Sequence, residues 1–151
     1  MSAGYSNTPL AKKLGLDDDK VFTVRRAPDH FAELLDAEGG VGGAVWQQSL
    51  MSPLDIVIAF YTQRAVLKAD WPKLTAPLPP DGAVWVAWPK RTSGMETDIT
   101  GDVLRAQILR TGWVDNKVCA IDDAWSALRF VKRKELRRPK DNTRAARARK
   151  R

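Results

Sequence analysis

The densest chemistry in this chain lies in Pro89-Lys90-Arg91-Thr92-Ser93-Gly94, which sets two cations, two hydroxyls and a glycine within five residues. Such a loop can hold a phosphate or a carboxylate through charge-assisted hydrogen bonds. A second polar group, Asp115-Asn116-Lys117, interrupts an otherwise apolar run. It reads either as a bulge or as a group facing the same crevice as Lys90. The candidate ligand-binding residues are therefore Lys90, Arg91, Thr92, Ser93, Asn116 and Lys117. Tyr5, Thr8, Lys12 and Lys13 could fold over that crevice as a lid, although Lys12 and Lys13 also suit the solvated face of a helix.

Catalytic groups of the usual kinds are sparse. His30 is the only histidine. Its neighbour Asp29 does not face it on a helix, so the two form no dyad and His30 reads as a surface side chain. Cys119 is the only cysteine; within the apolar stretch KVCAI it is expected to be buried and inert. Asp17-Asp18-Asp19 and Asp122-Asp123 lack the further ligands a metal requires, so turn and cap roles account for them and no metal is expected.

Basicity is unevenly distributed. Residues 132–151 carry eleven Lys/Arg against two Asp/Glu, net +9, while residues 1–131 are net −2. The natural division is a compact domain over 1–134 and a basic tail over 135–151. Beyond Leu136 the tail offers only alanines and a proline as apolar residues, too little to fold alone. Its cations (Arg137, Arg138, Lys140, Arg144, Arg147, Arg149, Lys150 and Arg151) could neutralise phosphates, giving weak, salt-sensitive, sequence-independent binding of nucleic acid or another polyanion. No aromatic residue is interleaved to stack on bases. No apolar run is long enough to span a membrane, and the start of the chain lacks the pattern of a signal peptide. With a single cysteine, a cytoplasmic protein is expected.

Positioning these residues requires a scaffold, and two segments reveal it. Asp55–Thr62 (DIVIAFYT) and Ala83–Lys90 (AVWVAWPK) do not alternate polar and apolar residues, which marks strands buried on both faces of a parallel sheet. A helix over Thr62–Ala69, ended or kinked by Pro72, makes the pair a βαβ unit. Further strands are expected at Lys20–Arg25, Ala44–Gln48, Trp113–Ile121 and Leu128–Arg133. Helices are expected at Thr8–Leu16, from Pro28 to about Asp36, and from an Asp98 or Thr100 cap to about Leu109. Gly39–Gly43 (GGVGG) follows a helix, which sets it on the edge away from a ligand crevice.

This order, ending in an antiparallel pair, resembles the class I methyltransferase variant of the Rossmann fold. The expected class is α/β, three layers around a mostly parallel mixed sheet of order 2-1-3-4-6-5 whose last strand is antiparallel. In that fold a glycine-rich turn after the first strand lets the backbone approach the cofactor, and an acidic residue ending the second holds ribose hydroxyls. Here the first position reads Arg25-Arg26-Ala27-Pro28-Asp29 and the second Trp46-Gln47-Gln48-Ser49. Both determinants are missing.

GYSNTPLAKKLGL (4–16), PDGAVWVAWPKRTSGMETDIT (80–100) and GWVDNKVCAIDDAWSALRFVKRK (112–134) also resemble a small bacterial family of compact, methyltransferase-like Rossmann domains of unknown function. The resemblance implies the fold and little chemistry. Those relatives usually carry a glycine after the first strand, which this chain lacks. Taken together, these readings lead to the expectation of a non-enzymatic, cofactor-degenerate binding or regulatory module with no cofactor and a polyanion-binding tail. The alternative is a small enzyme or ligand sensor, methyltransferase-like if an enzyme, acting on an anionic metabolite or S-adenosylmethionine at the C-terminal edge of the sheet.

Overall fold

The computed structural model describes residues 8–137. Six strands form one sheet: β1 (Val21–Arg25), β2 (Val45–Trp46), β3 (Ile56–Phe60), β4 (Ala83–Pro89), β5 (Trp113–Ala120) and β6 (Trp125–Lys132). Their order is β2-β1-β3-β4-β6-β5. β1 pairs in parallel with β2 and β3, and β3 with β4, whereas β6 runs antiparallel to both β4 and β5. Order and strand directions are those expected from the sequence.

The sheet is buried on both faces because β3 and β4 supply apolar side chains to both. Val57, Ala59, Val84 and Val86 are fully buried. Ile56, Ile58 and Phe60 pack with Trp85 beneath α1 (Leu10–Lys13) and α2 (Phe31–Asp36), while Val57, Ala59 and Tyr61 pack beneath α3 (Arg64–Thr75) and α4 (Gly101–Leu109). Burying each large apolar side chain contributes roughly 1.5–3 kcal/mol, so the two layers are held by these central strands.

Several boundaries differ from expectation for local reasons. α3 continues through Pro72 to Thr75. Pro72 removes one backbone donor, but Trp71 and Leu74 are buried, and Trp71 packs edge-on against Trp113 and Phe130 with ring centroids 5.6 and 6.1 Å away. α1 is a single turn stopped at Gly15, whose φ of +78° is open to glycine. β6 begins three residues earlier than expected, at Trp125, because its ladder with β4 runs unbroken from Pro89↔Trp125 to Ala83↔Val131. Thr100 caps α4 by accepting from Val103 N, whereas Asp98 accepts from Arg64 N at the start of α3.

Lys134–Leu136 forms a short 3-10 turn, and Arg137 Nε donates to Lys132 O at 2.7 Å. The tail residues Arg138, Lys140, Arg144, Arg147, Arg149, Lys150 and Arg151 lie outside the described residues, as does Tyr5. Among the described residues, no helix is long and apolar enough to cross a membrane and no cluster of His, Cys, Asp and Glu could hold a metal.

Candidate functional site at the carboxyl edge of the sheet

Chain direction reverses between β1 and β3: from β1 the chain moves outward to β2, and from β3 it moves the other way to β4. In open α/β sheets the ligand crevice lies outside the carboxyl ends of the strands at this switch point. Here it is bounded by the residues following Arg25, Trp46 and Phe60.

The turn after β1 departs from what its composition suggests. Arg26 has φ +61°, the left-handed region that glycine enters freely and a bulky side chain enters at a cost of order 1–3 kcal/mol. The backbone keeps a glycine-type turn without a glycine. The Arg26 guanidinium lies 5.3 Å from the centroid of the Tyr61 ring, spanning the switch point from β1 to the end of β3. Tyr61 is buried, and its hydroxyl donates to Asp70 Oδ2 on α3 at 2.7 Å. Burial first, then the hydrogen bond to Asp70 and the charge of that carboxylate, push the phenol above its ordinary pKa, with Arg26 and Arg25 opposing. Tyr61 is thus a neutral donor at any physiological pH.

The end of β2 is tied in by two side chains. Arg25 Nη1 donates to Gln48 O at 2.9 Å. Gln47 Nε2 donates to Ser49 O at 3.2 Å and Met51 O at 2.7 Å, which leaves its carboxamide oxygen as the acceptor. Beside it, Trp46 is 38% exposed and packs against Phe22 at 5.5 Å.

Further along the same edge is a pair that the sequence reading missed. His30 Nε2 lies 2.8 Å from Asp122 Oδ2, across ninety-two positions of chain. Asp122 Oδ1 accepts from Ala124 N at 2.8 Å and Trp125 N at 2.9 Å, so the turn role expected of Asp122 is real and also aims its second oxygen. Phe31 packs on Phe60 and Phe60 on Trp125, each at 5.0 Å edge-on, which brings the start of α2 over the β5–β6 turn. His30 is thus a half-exposed imidazole oriented by a carboxylate, rather than an unengaged surface residue. The only sequence signal for the pair was that both residues follow the carboxyl ends of strands.

The expected ligand residues separate into two places. Lys90, Arg91, Thr92 and Ser93 do lie at this edge: Lys90 N donates to Ala124 O at 2.7 Å, and Arg91–Ser93 is an exposed 3-10 turn. Ser93 Oγ is engaged within the loop, accepting from Met95 N. Asn116 and Lys117 are elsewhere. β5 is bulged between Asp115 and Lys117, as one sequence reading held, and Lys117 stands opposite Arg129, which stands opposite Trp85. That is five residues back along β4 from Lys90, roughly 16 Å at strand rise. They do not share a crevice with Lys90, because the hairpin register carries them toward the other edge.

Thr8 and Lys12 are exposed, and Lys13 Nζ reaches Ala120 O at 3.5 Å, so α1 rests on the sheet face rather than over the switch point. Cys119 is buried as expected, and burial pushes its thiol up against the opposing pull of Lys13 and Lys90. The glycine run lies at the opposite edge, where Gly43 N donates to Asp18 Oδ1.

No protein-family model and no curated protein matches the chain. Solved structures do match. DhpI in complex with SAH is 12% identical with a TM-score of 0.53, the match covering 83% of this chain and 84% of that one. Magnesium protoporphyrin IX methyltransferase (ChlM) from Synechocystis PCC 6803, with bound SAM, is 12% identical with a TM-score of 0.48, covering 82% and 74%. At such identity the likeness is one of fold, a methyltransferase-like Rossmann sheet. It nevertheless corrects the expectation of a non-enzymatic, cofactor-degenerate module. That expectation rested on a missing glycine after β1 and a missing acidic residue after β2, whereas DhpI, matched with a TM-score of 0.53, is a complex with SAH, and Arg26 holds the left-handed conformation itself.

Proposed function

We propose that the domain binds S-adenosylmethionine at the switch point and is a small methyltransferase-like transferase, with an acceptor that carries anionic groups. The single observation behind this reading is the left-handed Arg26 turn. A strained backbone at the mouth of a ligand crevice persists where its shape is required.

The residues present suit the group. The turn Arg25–Pro28 offers the backbone approach that glycines normally provide. Gln47 substitutes a neutral carboxamide oxygen for the acidic partner of the ribose hydroxyls, and the exposed face of Trp46 can flank an adenine. The bound group would supply a methyl carbon carried on a sulfonium. The positive charge of Arg26 beside that site is balanced by the Tyr61–Asp70 pair. Asp122 orients His30 to take a proton from an acceptor nucleophile, and Lys90 and Arg91 are placed to hold an anionic group of that acceptor.

Calorimetric titration with S-adenosylmethionine and S-adenosylhomocysteine tests this. Wild type is expected to bind both. Arg26→Gly, which keeps the turn and removes the side chain that spans to Tyr61, is expected to bind more tightly, and Gln47→Leu about tenfold more weakly, the cost of one hydrogen bond. Absence of binding to both wild type and Arg26→Gly overturns the reading.

A further inference from the structure

At the opposite edge of the sheet lies a cavity of about 180 Å³ lined by Arg129, Lys117, Lys13 and Lys20, with the Trp85 ring as part of its wall. Trp85 is fixed there by its indole nitrogen, which donates to Leu14 O at 2.9 Å. Three aspartates, 17, 55 and 81, share the lining. Among the described residues, however, none of these cations is in an ion pair with any of them. Asp55 is already engaged, accepting from Val21 N at 2.9 Å.

The cations are instead set against one another. Lys117 and Arg129 are direct cross-strand partners in the β5–β6 ladder, so their side chains leave the sheet on the same face. Like charges in that position destabilise a sheet. Arg129 is half-buried, and its guanidinium makes no hydrogen bond or ion pair to any described residue. Burial first, and the neighbouring Arg137 guanidinium second, pull its pKa below the ordinary arginine value, with no carboxylate acting in the other direction. A guanidinium withdrawn from water beside two other cations is an arrangement that an anion would stabilise.

We propose that this cavity is a binding site for a small tetrahedral oxyanion of the phosphate class, with Arg129 as its fork-shaped principal donor and Lys117 and Lys13 as flanking charges. The volume has room for one phosphate group, and the charge of the lining rather than its size is what favours an oxyanion. Arginine presents paired N–H donors in a plane that matches two oxygens of such a group. The site is independent of the switch point, since it lies at the other ends of the same strands.

The test is titration of the full chain with sodium phosphate against sodium chloride at matched ionic strength, followed by thermal unfolding and calorimetry. Wild type is expected to show a saturable rise in melting temperature with phosphate and with sulfate, but not with acetate. Arg129→Leu is expected to weaken phosphate binding at least tenfold, with an unfolding midpoint in phosphate-free buffer no lower than that of wild type, because a like-charge pair is removed. Lys117→Met, at an exposed position, is expected to weaken binding severalfold without disturbing the fold. A phosphate response absent from wild type, or undiminished in both variants, overturns the proposal; so does an equal response to acetate. S-adenosylmethionine binding should be unchanged in Arg129→Leu, which separates this site from the one at the carboxyl edge.

Discussion

Both edges of the sheet are rich in charge, and they use it in opposite ways. At the carboxyl edge the charged groups have partners: Arg25 holds Gln48 O, Arg26 lies on Tyr61, Tyr61 on Asp70, and His30 on Asp122. At the amino edge Lys117 and Arg129 face each other without a counter-ion among the described residues. The partnered edge is pre-organised, its side chains fixed before any ligand arrives. The unpartnered edge carries a repulsion that removing a charge should relieve. Removing a charged side chain should therefore cost stability at the partnered edge and none at the unpartnered one.

The largest effect comes from removing what the edges share. Val57 is fully buried in β3. Val57→Asp places an unpaired carboxylate between the layers, at a cost comparable with the whole stability of a domain this size. Circular dichroism should show no cooperative unfolding transition.

Next comes Asp122→Ala, which removes two backbone hydrogen bonds and the His30 contact together. A loss of about 2–3 kcal/mol in urea unfolding is expected at the partnered edge. At the unpartnered edge Arg129→Leu should cost nothing. If both variants lost stability equally, the contrast between the edges would fail.

Tyr61→Phe is a smaller perturbation, about 1 kcal/mol for one hydrogen bond. It also has a pH signature. Because folding raises the Tyr61 pKa, its contribution is fully present below the ordinary phenol value near 10 and is lost as pH climbs above it. Wild type should lose stability between about pH 10 and 12 by a component that Tyr61→Phe lacks, measurable by unfolding at graded pH.

The smallest effect is expected at Thr23. Its hydroxyl is buried on β1 without a partner among the described residues. Thr23→Val substitutes a methyl group for an unsatisfied hydroxyl and should leave stability unchanged or up to about 1 kcal/mol higher by thermal unfolding.

Strand identity was legible because two-sided burial leaves a mark in composition. IVIAF and AVWVA admit no polar residue, and the short link over 121–124 makes β5 and β6 neighbours. Helix ends were less legible. Pro72 reads as a stop, and only the packing of Trp71 on Trp113 and Phe130 carries α3 past it. The carboxyl-edge loop at Lys90 was legible from strand direction, but its partners were not. His30 and Asp122 are each unremarkable in their local sequence, and only the Phe31–Phe60–Trp125 stack brings them together.

The sequence by itself determined the class of sheet and the terminal antiparallel pair, because hydrophobic periodicity and link length are local quantities; its order and the insertion of the last strand beside β4 followed from the resemblance to the class I methyltransferase fold. Only the tertiary structure decided how Arg26, His30 and Arg129 behave. A missing glycine proved to be a missing residue type rather than a missing conformation, since the surrounding strands hold Arg26 in the left-handed region. Whether a charge has a partner depends on residues brought near by folding: Asp122 reaches His30, while Lys117 and Arg129 meet each other. Backbone shape and charge pairing at a site are properties of the assembled layers, and no window of the chain contains them.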